Sequence, residues 1–392
     1  SADRIDSADP GFLERMMDGP RYTPREMIAK LVSFDTTSSR SNLPLIDFVR
    51  DYLAAWGVES YAVPNDEGTK ANLYAAFGPL TEGGVVLSGH TDVVPVEGQP
   101  WVTDPWEVVE KDGRLFGRGT ADMKSFSAIV LSRLPELVSR PLKRPIYLAL
   151  SYDEEVGCFG APRKPALCIV GEPSMMGVVD AHKSISSFRT TVTGFEAHSA
   201  HTDKGVNAVA VAARLVSFLH DIADEFRSQG PFNERFDPAY TTMGVNVISG
   251  GTANNIVARE CSFNWDCRTI PGQSSADILA RLEARAAEML PSMRAVFPEA
   301  DIQTVQLASV PGLMPESPSP AAELVHRLTG RNATTTVSYA SEGGQFQEAG
   351  LSTVICGPGS ILQAHQPNEF IDLTEIEACN AFIGKLMDWA EG

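Results

Sequence analysis

VVLSGHTDVV, residues 85–94, decides the fold. It is a short apolar run that reaches Gly89-His90, and ANLYAAFG (71–78), RPIYLALSYDEE (144–155) and ALCIVGEP (166–173) repeat the form with helical or loop material between them. Such runs read as buried strands and predict an α/β fold on a mostly parallel sheet. In these sheets ligands gather beyond the carboxyl ends of the strands. His90, the pair Glu154-Glu155 and Glu172 each follow an apolar run directly.

Upstream, residues 24–34 and 44–57 place apolar residues at helical spacing, and Gly57 closes LPLIDFVRDYLAAWG in a stop position. From Lys183 the texture changes to ISSFRTTVTG, NAVAVAARLVSFLHDIADEF, TTMGVNVISGG, RECSFNWDCR, SSADILARLEARAAEML and DIQTVQLAS. That is strand, helix, strand, strand, helix, strand. The polar and apolar alternation of RECSFNWDCR suits an antiparallel sheet with one solvated face. An inserted α+β domain is therefore expected over 183–312. Helix PAAELVHRLTG, strand LSTVICG and helix EIEACNAFIGKLMDWA then return the chain to the first domain, formed by 1–182 and 313–392.

Composition agrees. A chain of 392 residues, 43% hydrophobic and 21% charged, is ordinary globular material but longer than one core usually organises. The formal net charge of −18 disfavours nucleic acid or an anionic membrane as partner. No apolar run approaches the roughly eighteen residues of a membrane span. SADRIDSADPGFLERMM (1–17) lacks the apolar core of a signal peptide, so a cytoplasmic location is expected. The six cysteines show no C-x-x-C spacing and are expected to be reduced, buried thiols. Cys158, near Glu154, is read as packing, because a nucleophilic cysteine needs an activating histidine. Neither phosphate-binding glycine pattern occurs, which argues against nucleotide chemistry. SEGGQFQEAG (341–350) and CGPGS (356–360) suit either a close backbone approach to substrate or tight turns.

Six groups stand at strand ends or beside glycines: His90 in SGHTDVVP, Asp122 in GRGTADMK, Glu154 and Glu155 in SYDEEVG, Glu172 in VGEP and His365 in AHQPNE. Mixed imidazole and carboxylate is a zinc-type donor set. Two hard dications about 4 Å apart need a bridging carboxylate, terminal carboxylates and imidazoles, and a further base for the attacking water. The six groups can fill those roles.

With SGHTDVVP, GRGTADMK, SYDEEVG followed by VGEP, and AHQPNE in this order, the chain resembles the co-catalytic zinc aminoacylase and carboxypeptidase family over nearly its whole length. That family includes acetylornithine deacetylase, succinyl-diaminopimelate desuccinylase and glutamate carboxypeptidase. The resemblance implies that Asp122 bridges two metals, with His90 and Glu172 on one and Glu155 and His365 on the other. It implies Glu154 as general base, taking a proton from the bridging water and passing it to the leaving nitrogen. Asp92 would orient His90, although an Asp there also suits a turn. The inserted domain would form a homodimer contact and a lid. There His198, in preference to His201 of the same AHSAH stretch, would polarise the scissile carbonyl from the neighbouring subunit, with Asn255 and Arg268 holding substrate.

The longer stretches VDAHKS (179–184), AHSAHTDKGVNAV (197–209) and ICGPGSILQAHQPNEF (355–370) look most like the acetylornithine deacetylase branch. They imply hydrolysis of N-acetyl-L-ornithine to L-ornithine and acetate, a step of arginine biosynthesis. Other acyl-amino acids, a desuccinylase activity, and a carboxypeptidase or dipeptidase activity remain open, as does a non-catalytic binding protein for an amino acid derivative. Zinc, cobalt and manganese all suit such ligands. One departure stands out: sixteen residues separate Glu155 from Glu172, which leaves little room for the crossover helix that parallel strands need.

Overall fold

A computed structural model describes residues 19–154 and 165–392. The chain divides into two compact units. One holds the described residues up to Asp180 with Pro315–Thr335 and Ser341–Gly392; the other holds Ala181–Met314 and Thr336–Ala340.

The first unit opens with helices α1 (Pro24–Val32) and α2 (Leu43–Ala55). Pro24 and a reciprocal capping box between Thr23 and Glu26 start α1. Asn42, ahead of α2, makes no side-chain cap. Its amide instead exchanges two 2.9 Å hydrogen bonds with the backbone of Ala71 and donates to Thr91 Oγ1 at 2.9 Å. The start of α2 is thereby tied to the residue that follows His90.

Strands β1 (Ser60–Pro64), β2 (Ala71–Phe77), β3 (Val85–His90), β4 (Val109–Lys111) and β5 (Arg114–Phe116) follow. Next come α3 (Lys124–Ser132), α4 (Leu134–Ser139), β6 (Ile146–Ser151), β7 (Leu167–Pro173) and β8 (Val178–His182). In the second unit the order is β9 (Ile185–Thr193), α5 (Ala208–Gln229), β10 (Thr242–Gly250), β11 (Glu260–Arg268), α6 (Ser275–Arg294) and β12 (Asp301–Val310). The chain closes with α7 (Pro320–Thr329), β13 (Thr334–Val337), α8 (Gly343–Glu348), β14 (Ser352–Gly357), β15 (Phe370–Asp372) and α9 (Leu373–Glu391).

The large sheet has the order β1-β2-β6-β3-β7-β14-β8-β13. Its central strands β6, β3, β7 and β14 are parallel, as expected from their unbroken apolar runs. Antiparallel strands β1 and β2 flank them on one side, and β8 pairs antiparallel with β14 on the other. All six residues of β3 are buried. Because β3 and β6 are in register with His90 opposite Ser151, their carboxyl ends deliver His90 and the Asp153-Glu154 turn to the same edge. β7 brings Glu172, its last residue but one, to the same edge.

Helix α3, buried along its whole length, lies directly over these strand ends. Glycines permit the approach: a Cβ at Gly89 would meet Ser127 Oγ at 2.6 Å, and one at Gly171 the Phe126 ring at 2.1 Å. A small antiparallel sheet, β15-β5-β4, joins the far end of the chain to the segment before Asp122. Glu155, Cys158 and most of the link from β6 to β7, where little room for a crossover helix is expected, lie outside the described residues. No helix among the described residues is long and apolar enough to cross a membrane. Cys168, Cys261, Cys267, Cys356 and Cys379 are free and buried.

The second unit has the β-α-β-β-α-β order expected from its texture. Its antiparallel sheet is ordered β10-β11-β9-β12. Alternate residues of β9 and β11 are buried, including Phe188, Val192, Phe263 and Trp265, and they form one core with Leu215, Leu219, Ile278 and Leu282 of the two helices. Phe188 and Trp265 face each other across the strands with their rings stacked at 4.2 Å. Side-chain caps from Asn207 and Ser274 start the helices.

Candidate metal centre

At the carboxyl edge of the large sheet, His90, Glu154 and Glu172 bring donor atoms within 4.8 Å of one another. His90 Nε2 lies 2.9 Å from Asp122 Oδ1, 3.6 Å from Glu172 Oε1 and 4.0 Å from Glu154 Oε2. The second oxygen of Asp122 lies 3.3 Å from His365 Nε2. Asp122 thus stands between two imidazoles, one oxygen toward each. His90 is buried, whereas the His365 side chain is 53% exposed and its backbone adopts φ +64°. The other ring nitrogen of His90 is 2.9 Å from the carbonyl and 3.5 Å from the carboxylate of Asp92, so Asp92 does face that imidazole.

The electrostatics favour a cation. Burial alone would lower the pKa of His90, but hydrogen bonds to Asp122 and Asp92 and the charge of Glu172 hold it well above its ordinary value. Burial opposes the charge on Asp122 too, yet His365 and His90 hold it below the usual carboxylate range. Several carboxylates buried around one buried imidazole are costly unless positive charge compensates them. The donor chemistry and this field both fit a divalent metal ion. Glu155, the remaining expected ligand, lies outside the described residues.

Two supports were not foreseen from the sequence. The first is Glu369, fully buried, which accepts the backbone N–H groups of Ala121 and Asp122 with Oε1 and that of Gly119 with Oε2. The same carboxylate meets the buried Arg118 guanidinium at 2.6 Å. The loop that presents Asp122 is therefore moulded on a carboxylate about 250 residues away, inside the AHQPNE stretch. The second is a closed ring around Glu154. Lys70 Nζ pairs with Asp153 and donates to the Ser38 carbonyl at 2.6 Å. Ser38 Oγ donates to Asp92 Oδ2 at 2.8 Å, and the Glu154 N–H donates to Asp92 Oδ1 at 3.1 Å. Asp153 holds φ +59°, and this ring clamps its turn beside Glu154.

The glycine-rich stretches pack against the strands that carry His90 and Glu172. Gly343–Glu348 is helix α8, and Glu342 before it is buried and accepts a 2.8 Å hydrogen bond from Ser88 Oγ on the strand that ends in His90. A Cβ at Gly357 would meet the Gly171 carbonyl at 1.9 Å, so this glycine serves a close approach of two backbones.

Within the second unit, His198 and Asn255 lie on neighbouring stretches: His198 bridges to Ile256, and the Ser199 N–H donates to the Asn255 carbonyl at 2.9 Å. The Ala200 N–H donates to His198 Nδ1 at 3.1 Å. The neutral imidazole then carries its proton on Nε2. His201 is also exposed, its ring centre 6.3 Å away. Arg268 closes β11, with its Nε 4.0 Å from Asp266.

A parallel-centred α/β sheet, a buried imidazole with buried carboxylates at its carboxyl edge and a second, exposed imidazole beside them, and an inserted β-α-β-β-α-β unit define the class of metal-dependent amidohydrolases. The chain belongs to peptidase family M20/M25/M40, whose model matches residues 86–388. It is 33% identical over 375 residues to the acetylornithine deacetylase of Proteus mirabilis, covering 93% of this chain and 95% of that protein. It is 35% identical over 373 residues to that of Myxococcus xanthus, covering 92% and 96%. Among solved structures it is similar to a tripeptidase from Staphylococcus aureus (TM-score 0.69, 18% identity, 97% and 98% covered) and to an M20-family metallo-carboxypeptidase from Sulfolobus solfataricus (TM-score 0.70, 15% identity, 94% and 99% covered).

Proposed function

We propose that this hydrolase is a two-metal deacetylase that converts N-acetyl-L-ornithine to L-ornithine and acetate. The observation that carries the two-metal reading is Asp122, whose oxygens address His90 at 2.9 Å and His365 at 3.3 Å. The similarity to two acetylornithine deacetylases over more than nine-tenths of each chain supports the substrate. His90 and Glu172 would hold one ion, Glu155 and His365 the other, and Asp122 both. Two such ions supply Lewis acidity, which acidifies the attacking water and polarises the amide carbonyl.

The chain's own residues do the rest. Glu154 takes a proton from the attacking water and returns it to the leaving nitrogen, and the second water proton follows to the same nitrogen, so that water and amide become carboxylate and ammonium. Asp92 holds the far side of the His90 ring and keeps Nε2 turned toward Asp122, where His90 would serve as a ligand. His198 acts from the second unit of a homodimer partner: with Nδ1 occupied by the Ala200 N–H, its Nε2–H is the donor for the developing oxyanion. Asn255 and Arg268 hold the substrate, the guanidinium suiting its α-carboxylate.

The test is acetate release from N-acetyl-L-ornithine by metal-stripped protein before and after addition of zinc or cobalt, beside N-succinyl-diaminopimelate and dipeptides. Restored turnover of the acetyl substrate alone is the expected result. Turnover confined to dipeptides would replace the substrate and keep the chemistry, and metal uptake without any turnover would leave a binding protein.

A further inference from the structure

Gln99 lies in the loop after β3, outside every motif that marks the metal ligands. Both polar atoms of its side chain are engaged. Nε2 donates to the backbone carbonyl of His365 at 3.0 Å, while Oε1 accepts from Arg118 Nη2 at 2.6 Å and from Trp101 Nε1 at 3.0 Å. Arg118 in turn donates to the Gln366 carbonyl at 3.3 Å and pairs with Glu369, the carboxylate that moulds the Asp122 loop. The Arg118 guanidinium also lies 5.2 Å from the centre of the Trp101 ring. A second tie runs alongside: the Val102 N–H donates to Asn368 Oδ1 at 2.8 Å.

His365 needs such a hold. It sits at φ +64°, a region that non-glycine residues occupy only when their surroundings impose it, and its side chain is more exposed than that of any other expected ligand the structure describes. Its own side chain therefore receives little packing support. We propose that Gln99 is a positioning residue for His365, fixing the peptide from which the imidazole reaches toward Asp122 and linking that peptide through Arg118 and Glu369 to the Asp122 loop. The inference rests on the two-metal reading above. Its consequence is that the ion on the His365 side depends on Gln99, whereas the ion on the buried His90 side does not.

Two substitutions separate the halves of the contact. Gln99→Glu keeps an oxygen for Arg118 and Trp101 but can no longer donate to the His365 carbonyl; Gln99→Leu removes both. Metal-free wild type and both variants are titrated with cobalt(II), followed by calorimetry and by the visible ligand-field spectrum. Wild type is expected to take two equivalents per chain. Both variants are expected to bind the first equivalent as wild type does, which also reports a folded His90 side. The second should weaken about 10- to 100-fold, the usual effect of losing a partner behind a metal ligand. Two equivalents at wild-type affinity in either variant would overturn the role assigned to the His365 contact. A wild type that takes one equivalent overturns the two-metal reading itself, and the inference with it.

Discussion

Glu369 holds the backbone of Asp122: one carboxylate oxygen accepts the Asp122 N–H at 3.0 Å, and the other meets Arg118 at 2.6 Å, with Arg118 and Glu369 both buried. Replacing Glu369 by Ala leaves the guanidinium buried without a counter-charge, which costs about 3–5 kcal/mol. Urea unfolding of metal-free protein at neutral pH measures the loss directly. A change below about 0.5 kcal/mol would mean that water or another group takes over the guanidinium.

Glu154 is expected to be dispensable for binding and essential for turnover. Glu154→Gln keeps the shape and removes the base, so kcat for acetate release should fall about 10²- to 10⁴-fold while metal content stays at the wild-type level. A variant that turns over normally would transfer the base to another residue.

The two histidines of the AHSAH stretch separate cleanly. Both are exposed, so neither substitution should move the unfolding midpoint. His198→Ala should lower kcat by about 10²- to 10³-fold, the cost of one oxyanion donor, and His201→Ala should leave it unchanged. The reverse pattern would assign the donor to His201.

Acid stability should report His182, which is buried and held neutral. Burial lowers its pKa from 6.5 to about 4. The unfolded chain then binds the proton more readily than the folded one, so this residue's contribution is complete above about pH 6.5 and is lost as pH falls toward 4. Between pH 7 and pH 5 the loss is about 2 kcal/mol. Chemical unfolding at the two pH values should show wild type losing that much more stability than His182→Gln; parallel losses in the two proteins would show that His182 titrates normally.

The strand-borne part of the candidate site was legible because the fold imposes a local signature on it. His90, Glu154 and Glu172 each end an apolar run, and the parallel register then brings those ends together. The β-α-β-β-α-β unit was legible for a similar reason, since RECSFNWDCR alternates with the period of a half-buried strand and the helices are long. Lys70, Ser38, Gln99, Arg118 and Glu369 were not. Each acts through a partner far away in sequence, as Arg118 does with Glu369, and a lone charged or amide residue in a loop carries no period from which such a contact could be read. The three-residue strands β4, β5 and β15 were missed because they are too short to show any alternation.

The pairing of Arg118 with Glu369 also bears on how the molecule comes into being. Arg118 is synthesised some 250 residues before the carboxylate that neutralises it. During all of that time the guanidinium has no counter-ion in its pocket, and the Asp122 loop has no mould. The loop that presents Asp122 is therefore completed only once Glu369 has joined the chain, and a product that stops before that residue lacks the support behind Asp122.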